Sequence, residues 1–241
     1  MNPSPWLALM IGNSRLHWAQ FADQDLLQTW DTPYLTPANS QPPILHPSAP
    51  PTSSFPSSLP HPSELWIASV VPQQTQLWQA YPQAQFITLE QVPLAGMYPT
   101  LGIDRALAVW GAIMTLGSPV LVIDAGTALT FTGADAQKRL VGGAILPGLR
   151  LQFHSLGQST AALPLVDWQE TATLPSRWAM DTSDAIASGI LHTVLAGLRD
   201  FVNIWWKDFP ASPVVLTGGD GDRLYRYLIT QMPEWAIHLA V

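Results

Sequence analysis

The sequence contains no cysteine, which removes disulfides, thiolate zinc sites, iron-sulfur clusters and cysteine nucleophiles together. Redox chemistry therefore places no constraint on the compartment. Lysine is nearly absent as well: Lys138 and Lys207 are the whole inventory, and neither follows a glycine-rich loop, so a Walker-type phosphate loop is excluded. The chain also lacks a G-x-G-x-x-G string and a G-x-S-x-G elbow, which leaves a dinucleotide fold and a serine hydrolase without support.

Basic charge is scarce. Lys and Arg number 10 against 17 Asp and Glu, giving a net charge of -7 and a pI near 5.1, so no basic stripe is available for nucleic acid. His17, His46, His61, His154, His192 and His238 stand at no paired ligand spacing, which argues against a histidine-held metal. The first apolar run is broken by Gly12, Asn13, Ser14 and Arg15, and reads as neither a signal peptide nor a span. With no other segment read as long enough to cross a bilayer, the expectation is a cytoplasmic protein with no membrane partner.

What is present suits a globular enzyme. The 241 residues are 47% hydrophobic, enough for one large domain or two smaller ones. The 11 tryptophans are expected in cores and at a dimer interface. From Thr32 to Ser63 no Asp, Glu, Lys or Arg occurs while Pro33, Pro37, Pro42, Pro43, Pro47, Pro50, Pro51, Pro56, Pro60 and Pro62 recur. Such a composition buries no core, and the segment reads as an extended, mobile surface loop or, less simply, a Pro-rich ligand for a partner domain.

Around that loop the pattern is mixed α/β. Trp6 to Ile11 and Leu16 to Phe21 read as strands joined by a Gly-Asn-Ser turn, and Leu65 to Val71 as a third strand ending at Pro72. Arg105 to Leu116 reads as a helix closed by Gly117. The theme then restarts: strand Val120 to Ile123, turn Asp124 to Thr127, strand Leu129 to Thr132, and strand Leu140 to Leu146. Thr182 to Trp206 reads as the longest helix, with Ile186, Ile190, Val194, Leu198 and Phe201 at helical spacing. Strand Val214 to Leu216 runs through Thr217-Gly218-Gly219-Asp220 into a helix from Arg223 to Ile229.

Setting LMIGNSRLHW against IDAGTALTFT aligns Gly12 with Gly126, Asn13 with Thr127 and Met10 with Asp124. The two hairpins suggest duplicated βββ-led domains facing each other across a central cleft, over 1–117 (with the Pro-rich loop 32–63) and 118–241. Both turns join a glycine to a small polar residue, a pattern that cradles phosphate or simply makes a tight turn. Asp104, opening a helix, is a candidate acid-base group or a helix cap. Asp124, ending an apolar strand, is a candidate ligand or a buried structural aspartate.

Taken together, IGNS, LGIDRALA, VIDAGTALTFT, GGAILPGL, STAALP, DTSDAIASGIL and LTGGDGDRL span Ile11 to Leu224, and their order resembles that of the type III pantothenate kinases. The resemblance implies a duplicated ribonuclease-H-like (actin-like ATPase) α/β fold and a homodimer using pantothenate, ATP, Mg2+ and a monovalent cation, K+ or NH4+. It further implies that Asp104 is the general base, that Gly102, Ile103, Arg105, Tyr98 and Thr182 bind the substrate, and that Asp124 takes the monovalent cation. The nucleotide would meet Met10, Ile11, Gly12, Asn13, Ser14, Arg15, Leu16, His17 and Thr127, and the TGGDG turn suits its adenosine end.

Met10 departs from the family pattern. The family usually carries an aspartate there, and a thioether does not replace a carboxylate beside hydrated magnesium. Two other readings stay open: a nucleotide-binding regulatory relative without catalysis, and a kinase for another small hydroxy-acid.

Overall fold

The computed structural model describes residues 5–34, 64–79, 81, 84–166 and 173–240. The stretch 35–63, most of the Pro-rich segment, lies outside the described residues. The chain divides into two compact units, Met1–Pro93 with Thr100–Leu107, and Leu94–Pro99 with Ala108–Val241.

The first unit is built on strands β1 (Pro5–Ile11), β2 (Leu16–Ala22), β3 (Asp25–Thr32), β4 (Leu65–Ser69) and β5 (Ala84–Phe86), with helix α1 (Pro72–Trp78) between the last two. Their order across the sheet is β3-β2-β1-β4-β5, antiparallel among the first three and parallel from β1 onward. Alternation along β1 and β2 sends Leu7, Leu9, Ile11, Leu16 and Trp18 to one face, where they meet Leu65, Ile67 and Trp78. Trp18 also donates its indole N–H to Thr32 Oγ1 at 3.0 Å, which satisfies the buried polar end of the ring.

The second unit repeats this plan with β6 (Val120–Ala125), β7 (Ala128–Ala134), β8 (Leu140–Pro147), β9 (Val214–Thr217) and β10 (Ile237–Leu239). Read from the other edge, its order is β8-β7-β6-β9-β10, again antiparallel and then parallel. The two sheets thus share one topology, and the α/β duplication inferred from the hairpins is a property of the whole sheet. Helix α2 (Ile103–Leu116) leads into this unit, and α3 (Leu149–Ser159), α4 (Thr182–Asp208) and α5 (Gly221–Gln231) belong to it.

The apolar stripe of α4, including Ile186, Ile190, Val194, Leu198 and Val202, packs in one core with Leu121, Ile123, Leu129, Phe131 and Leu224. By length and composition alone α4 meets the requirement for a bilayer span, with half of its most apolar window buried. That corrects the expectation that no segment reaches span length; the apolar content of α4 serves the core of the unit.

Several boundaries differ from the sequence reading. The third strand stops at Ser69 because Pro72 is the first residue of α1 rather than a strand terminator; proline fits a first helical position, where its missing N–H is not needed. Helix α2 begins at Ile103, so Asp104 lies in its first turn and not at its cap. Strands β3, β5 and β10 and helices α1 and α3 lie outside the sequence-based elements.

Candidate active site

In the first unit the predicted nucleotide residues form one continuous hairpin. Met10 pairs with His17 and Ile11 with Leu16, leaving Gly12 to Arg15 as the turn, closed by the Gly12 N–H donating to the Arg15 carbonyl at 3.1 Å. Ile11 and Leu16 are fully buried, so their side chains anchor the hairpin and only their backbone is available to a ligand. Asn13, Ser14, Arg15 and His17 are exposed, and Met10 is half-buried.

Two residues that sequence reasoning missed hold this turn from β3 and the residues after it. The Tyr34 hydroxyl donates to the Gly12 carbonyl at 2.5 Å. Asp31 accepts from Arg15 Nη1 at 3.0 Å through Oδ2 and from His17 Nδ1 at 2.7 Å through Oδ1. Both act across gaps of 14 to 22 residues, and no local pattern announces them.

Residues 102–105 also belong to the first unit. Leu101 and Ile103 are buried and fix the segment, and the Ala106 N–H donates to the Gly102 carbonyl at 3.1 Å. The Asp104 carboxylate turns back over position 102: a Cβ on Gly102 would overlap its Oδ1. Asp104 Oδ1 accepts the Arg105 N–H at 2.8 Å, and Arg105 itself is buried, at 8% exposure. A half-buried carboxylate on the first turn of a helix, beside a glycine that leaves it room, is a suitable acceptor for a hydroxyl proton.

The second unit carries the other hairpin. Asp124 pairs with Thr130 and Thr217 and precedes Gly126 and Thr127. Three glycines crowd this place. A Cβ on Gly126 would lie 3.2 Å from Asp124 Oδ1, one on Gly218 would overlap the Asp124 carboxylate and the Ala125 backbone, and one on Gly148 would overlap the Gly126 and Thr127 carbonyls. Gly148 donates its N–H to the Thr127 carbonyl at 2.9 Å, and Asp220 donates its N–H to the Ala125 carbonyl at 2.9 Å. The Ala125 and Thr127 carbonyls are thus each taken by a backbone N–H, and the Asp124 carboxylate near the end of β6 is an oxygen donor of the type that a hard cation takes.

Asp220 closes the β9–α5 turn. Burial raises its pKa, while the charges of Arg223 and Arg150 pull it down; Arg223 Nη1 donates to Asp220 Oδ1 at 3.1 Å. Thr182 is the first residue of α4, immediately after Asp181, whose carboxylate accepts the Asp184 N–H at 3.0 Å. Tyr98, 41% exposed, lies in the segment Leu94–Pro99 that is tied to the start of β8 by the Leu140 N–H to Ala95 carbonyl bond at 2.7 Å. Among the described residues no group of three His, Cys, Asp or Glu is placed to hold a metal ion.

A model of the type III pantothenate kinase family matches residues 6–203. The chain belongs to that family. A type III pantothenate kinase from Nostoc sp. is 52% identical, covering 98% of this chain and 89% of its own length, and one from Synechocystis sp. is 47% identical, covering 97% and 84%. Among solved structures, a Campylobacter jejuni protein of the Baf transcriptional-activator family superposes with a TM-score of 0.57 at 17% identity, covering 95% of this chain and all of its own. The activator of 2-hydroxyisocaproyl-CoA dehydratase from Clostridium difficile, with bound ADPNP, reaches 0.50 at 10% identity, covering 98% and 88%. These last two likenesses carry the fold alone. They agree with the actin-like ATPase architecture of two sheets of one topology.

Proposed function

We propose that this chain transfers the γ-phosphoryl group of ATP to the hydroxyl of pantothenate, giving 4'-phosphopantothenate, the first step of coenzyme A biosynthesis. Membership of the type III pantothenate kinase family supports the activity. The observation that carries the mechanism is the Asp104 carboxylate, half-buried on the first turn of α2 with Gly102 kept clear beneath it.

In this reading the substrate oxygen forms a bond to the γ-phosphorus as the bond to ADP breaks, and Asp104 accepts the hydroxyl proton. Phosphoryl transfer depends on positioning and charge neutralisation more than on covalent help, so Asp104 needs mainly to orient the hydroxyl and take its proton late. Gly102, Ile103, Arg105, Tyr98 and Thr182 bind pantothenate. The turn from Met10 to His17 and Thr127 bind the nucleotide phosphates, with N–H groups rather than a lysine as donors.

A K+ or NH4+ ion is assigned to Asp124, whose carboxylate would hold it; when bound, the ion would supply positive charge to the site. Magnesium accompanies ATP, but Met10 offers it no carboxylate. The same reading includes a homodimer in the cytoplasm. Trp178, Met180, Phe201 and Ile204 of the second unit are 85%, 99%, 43% and 53% exposed, apolar surface of the kind that a second copy buries.

Met10 favours one competitor, a nucleotide-binding regulatory relative. Purified protein assayed for ADP release with ATP, magnesium, potassium or ammonium, and pantothenate separates the readings. Pantothenate-dependent ADP release supports the kinase, and ATP binding without turnover on pantothenate supports the regulator. Turnover only with another hydroxy-acid would reassign the substrate.

A further inference from the structure

Duplication gives each sheet a central strand with an equivalent penultimate position. In the second unit that position is Asp124, paired with Thr130 and Thr217; in the first it is Met10, paired with His17 and Ala68. The carboxylate of the first unit stands elsewhere in the same row, because His17 pairs in turn with Asp31 on β3. Residues in register across a sheet point to one face, and neighbouring strands are about 4.8 Å apart, so Asp31 lies roughly 10 Å along the row from Met10. The face is the one opposite Leu9, Ile11, Leu16 and Trp18, which are buried in the core.

The row has connected side chains. Each Asp31 oxygen takes one partner, Oδ1 the His17 Nδ1 at 2.7 Å and Oδ2 the Arg15 Nη1 at 3.0 Å. The far edge of the His17 ring reaches the turn, since a Cβ on Gly12 would stand 3.3 Å from its Nε2. The imidazole therefore spans from the β3 carboxylate to the turn glycine, and the guanidinium is held beside it. All three side chains are about half exposed, at 50%, 51% and 43% for Arg15, His17 and Asp31. Water competes with such pairs and they add little to stability, so the value of this arrangement lies in where it puts the guanidinium. One N–H of Arg15 is used by Asp31, and a planar fork of five donors has more to give an anion.

We propose that Asp31 is a positioning residue for nucleotide binding. It holds Arg15 and His17 at the first turn, so that this hairpin meets phosphate charge with a guanidinium where its counterpart in the second unit presents a carboxylate. The first hairpin consequently binds nucleotide with weak dependence on magnesium. This rests on the reading that the Gly12 to Arg15 turn receives the ATP phosphates.

The sign of one substitution separates this role from its competitor. Asp31 is itself an anion near the phosphates, so if it acted only through space, Asp31→Asn would tighten nucleotide binding. If it positions Arg15, the same change weakens binding. The experiment measures dissociation constants for ATP and ADP by tryptophan fluorescence, with magnesium and with EDTA. It also measures KM for ATP and kcat, for wild type, Asp31→Asn, Arg15→Ala, the double variant and Asn13→Ala, with melting temperatures as the control for folding.

The proposal expects wild-type binding of ADP in EDTA to stay within about threefold of its value with magnesium, as weak coupling between two ligands requires. Asp31→Asn should raise KM and the dissociation constant for ATP by about three- to tenfold with kcat and melting temperature nearly unchanged. The double variant should bind no more weakly than Arg15→Ala alone, since coupled residues are not additive. Tighter or unchanged binding in Asp31→Asn, or additive losses in the double variant, would overturn the positioning role. A loss of ADP binding in EDTA well beyond threefold would overturn the magnesium claim. If Asn13→Ala and Arg15→Ala both bind ATP as wild type does, the assignment of the turn to phosphate fails, and this proposal with it.

Discussion

Gly102 and Asp104 share one volume: the carboxylate of the aspartate lies where a Cβ on the glycine would be. The nearest atom belongs to the end of a flexible side chain, so Gly102→Ala is expected to swing the carboxylate aside without unfolding the protein. The measurable outcome is a fall in kcat of about tenfold or more, because misplacement of a reacting group by an ångström already costs up to a hundredfold. Melting temperature and KM for ATP should stay close to wild type. A full loss of folded protein would show that the glycine serves the backbone instead.

Gly218 makes the opposite prediction. Its φ is +88°, and its Cβ would overlap the Ala125 backbone as well as the Asp124 carboxylate. Backbone does not swing aside. Gly218→Ala should therefore cost about 1–3 kcal/mol or more of stability, visible in denaturant unfolding before any assay of activity. An unchanged unfolding midpoint would contradict the packing described at the end of β6.

Met10→Asp would place a second carboxylate on the row that holds His17 and Asp31. With the turn at the phosphates, the new group should lower the half-saturating magnesium concentration for turnover, by at most the equivalent of one charge-assisted contact of about 1.5 to 3 kcal/mol. It should also draw His17 from Asp31, since Met10 and His17 are directly paired. Dependence on potassium or ammonium, assigned to Asp124, should not move. If half-saturation and melting temperature both equal wild type, Met10 has no part in the site.

The Pro-rich segment gives a compositional prediction. Deleting Pro37 to Pro60 and closing the gap with a short linker should leave activity intact, since a segment without charged residues or an apolar period contributes little packing. The deletion must keep Tyr34, whose hydroxyl holds the Gly12 carbonyl. Insolubility, or loss of the proposed dimer, would show that the segment is structural.

Sequence and structure agree where burial follows a simple period. Leu7, Leu9 and Ile11 alternate into one core, and Ile186, Ile190, Val194 and Leu198 recur along α4, so both hairpins and the long helix were legible. Strand β3 was not, because most of it is exposed, with Leu26 and Leu27 each at 56%, and an edge strand of that kind has no alternation to read. Helix α1 was hidden behind Pro72, which looks like a stop and is a start. In the candidate site, the groups around Gly12, Asp104 and Asp124 were legible as candidates from two glycine turns, a helix start and a strand end, and their proposed roles come from the family resemblance. Asp31 and Tyr34 were not, and neither was the contact of Gly148 with Thr127, since these partners meet only through strand pairing and loop return.

The central claim is that this chain phosphorylates pantothenate with Asp104 as the proton acceptor, and Asp104→Asn tests it most directly. The amide keeps the shape of the carboxylate and removes its basicity. Initial rates of pantothenate-dependent ADP release should fall by about a hundred- to ten-thousand-fold, while the melting temperature and the ATP dissociation constant remain those of wild type. Turnover within about threefold of wild type would leave less than one kilocalorie per mole for Asp104 to supply, and would contradict the account.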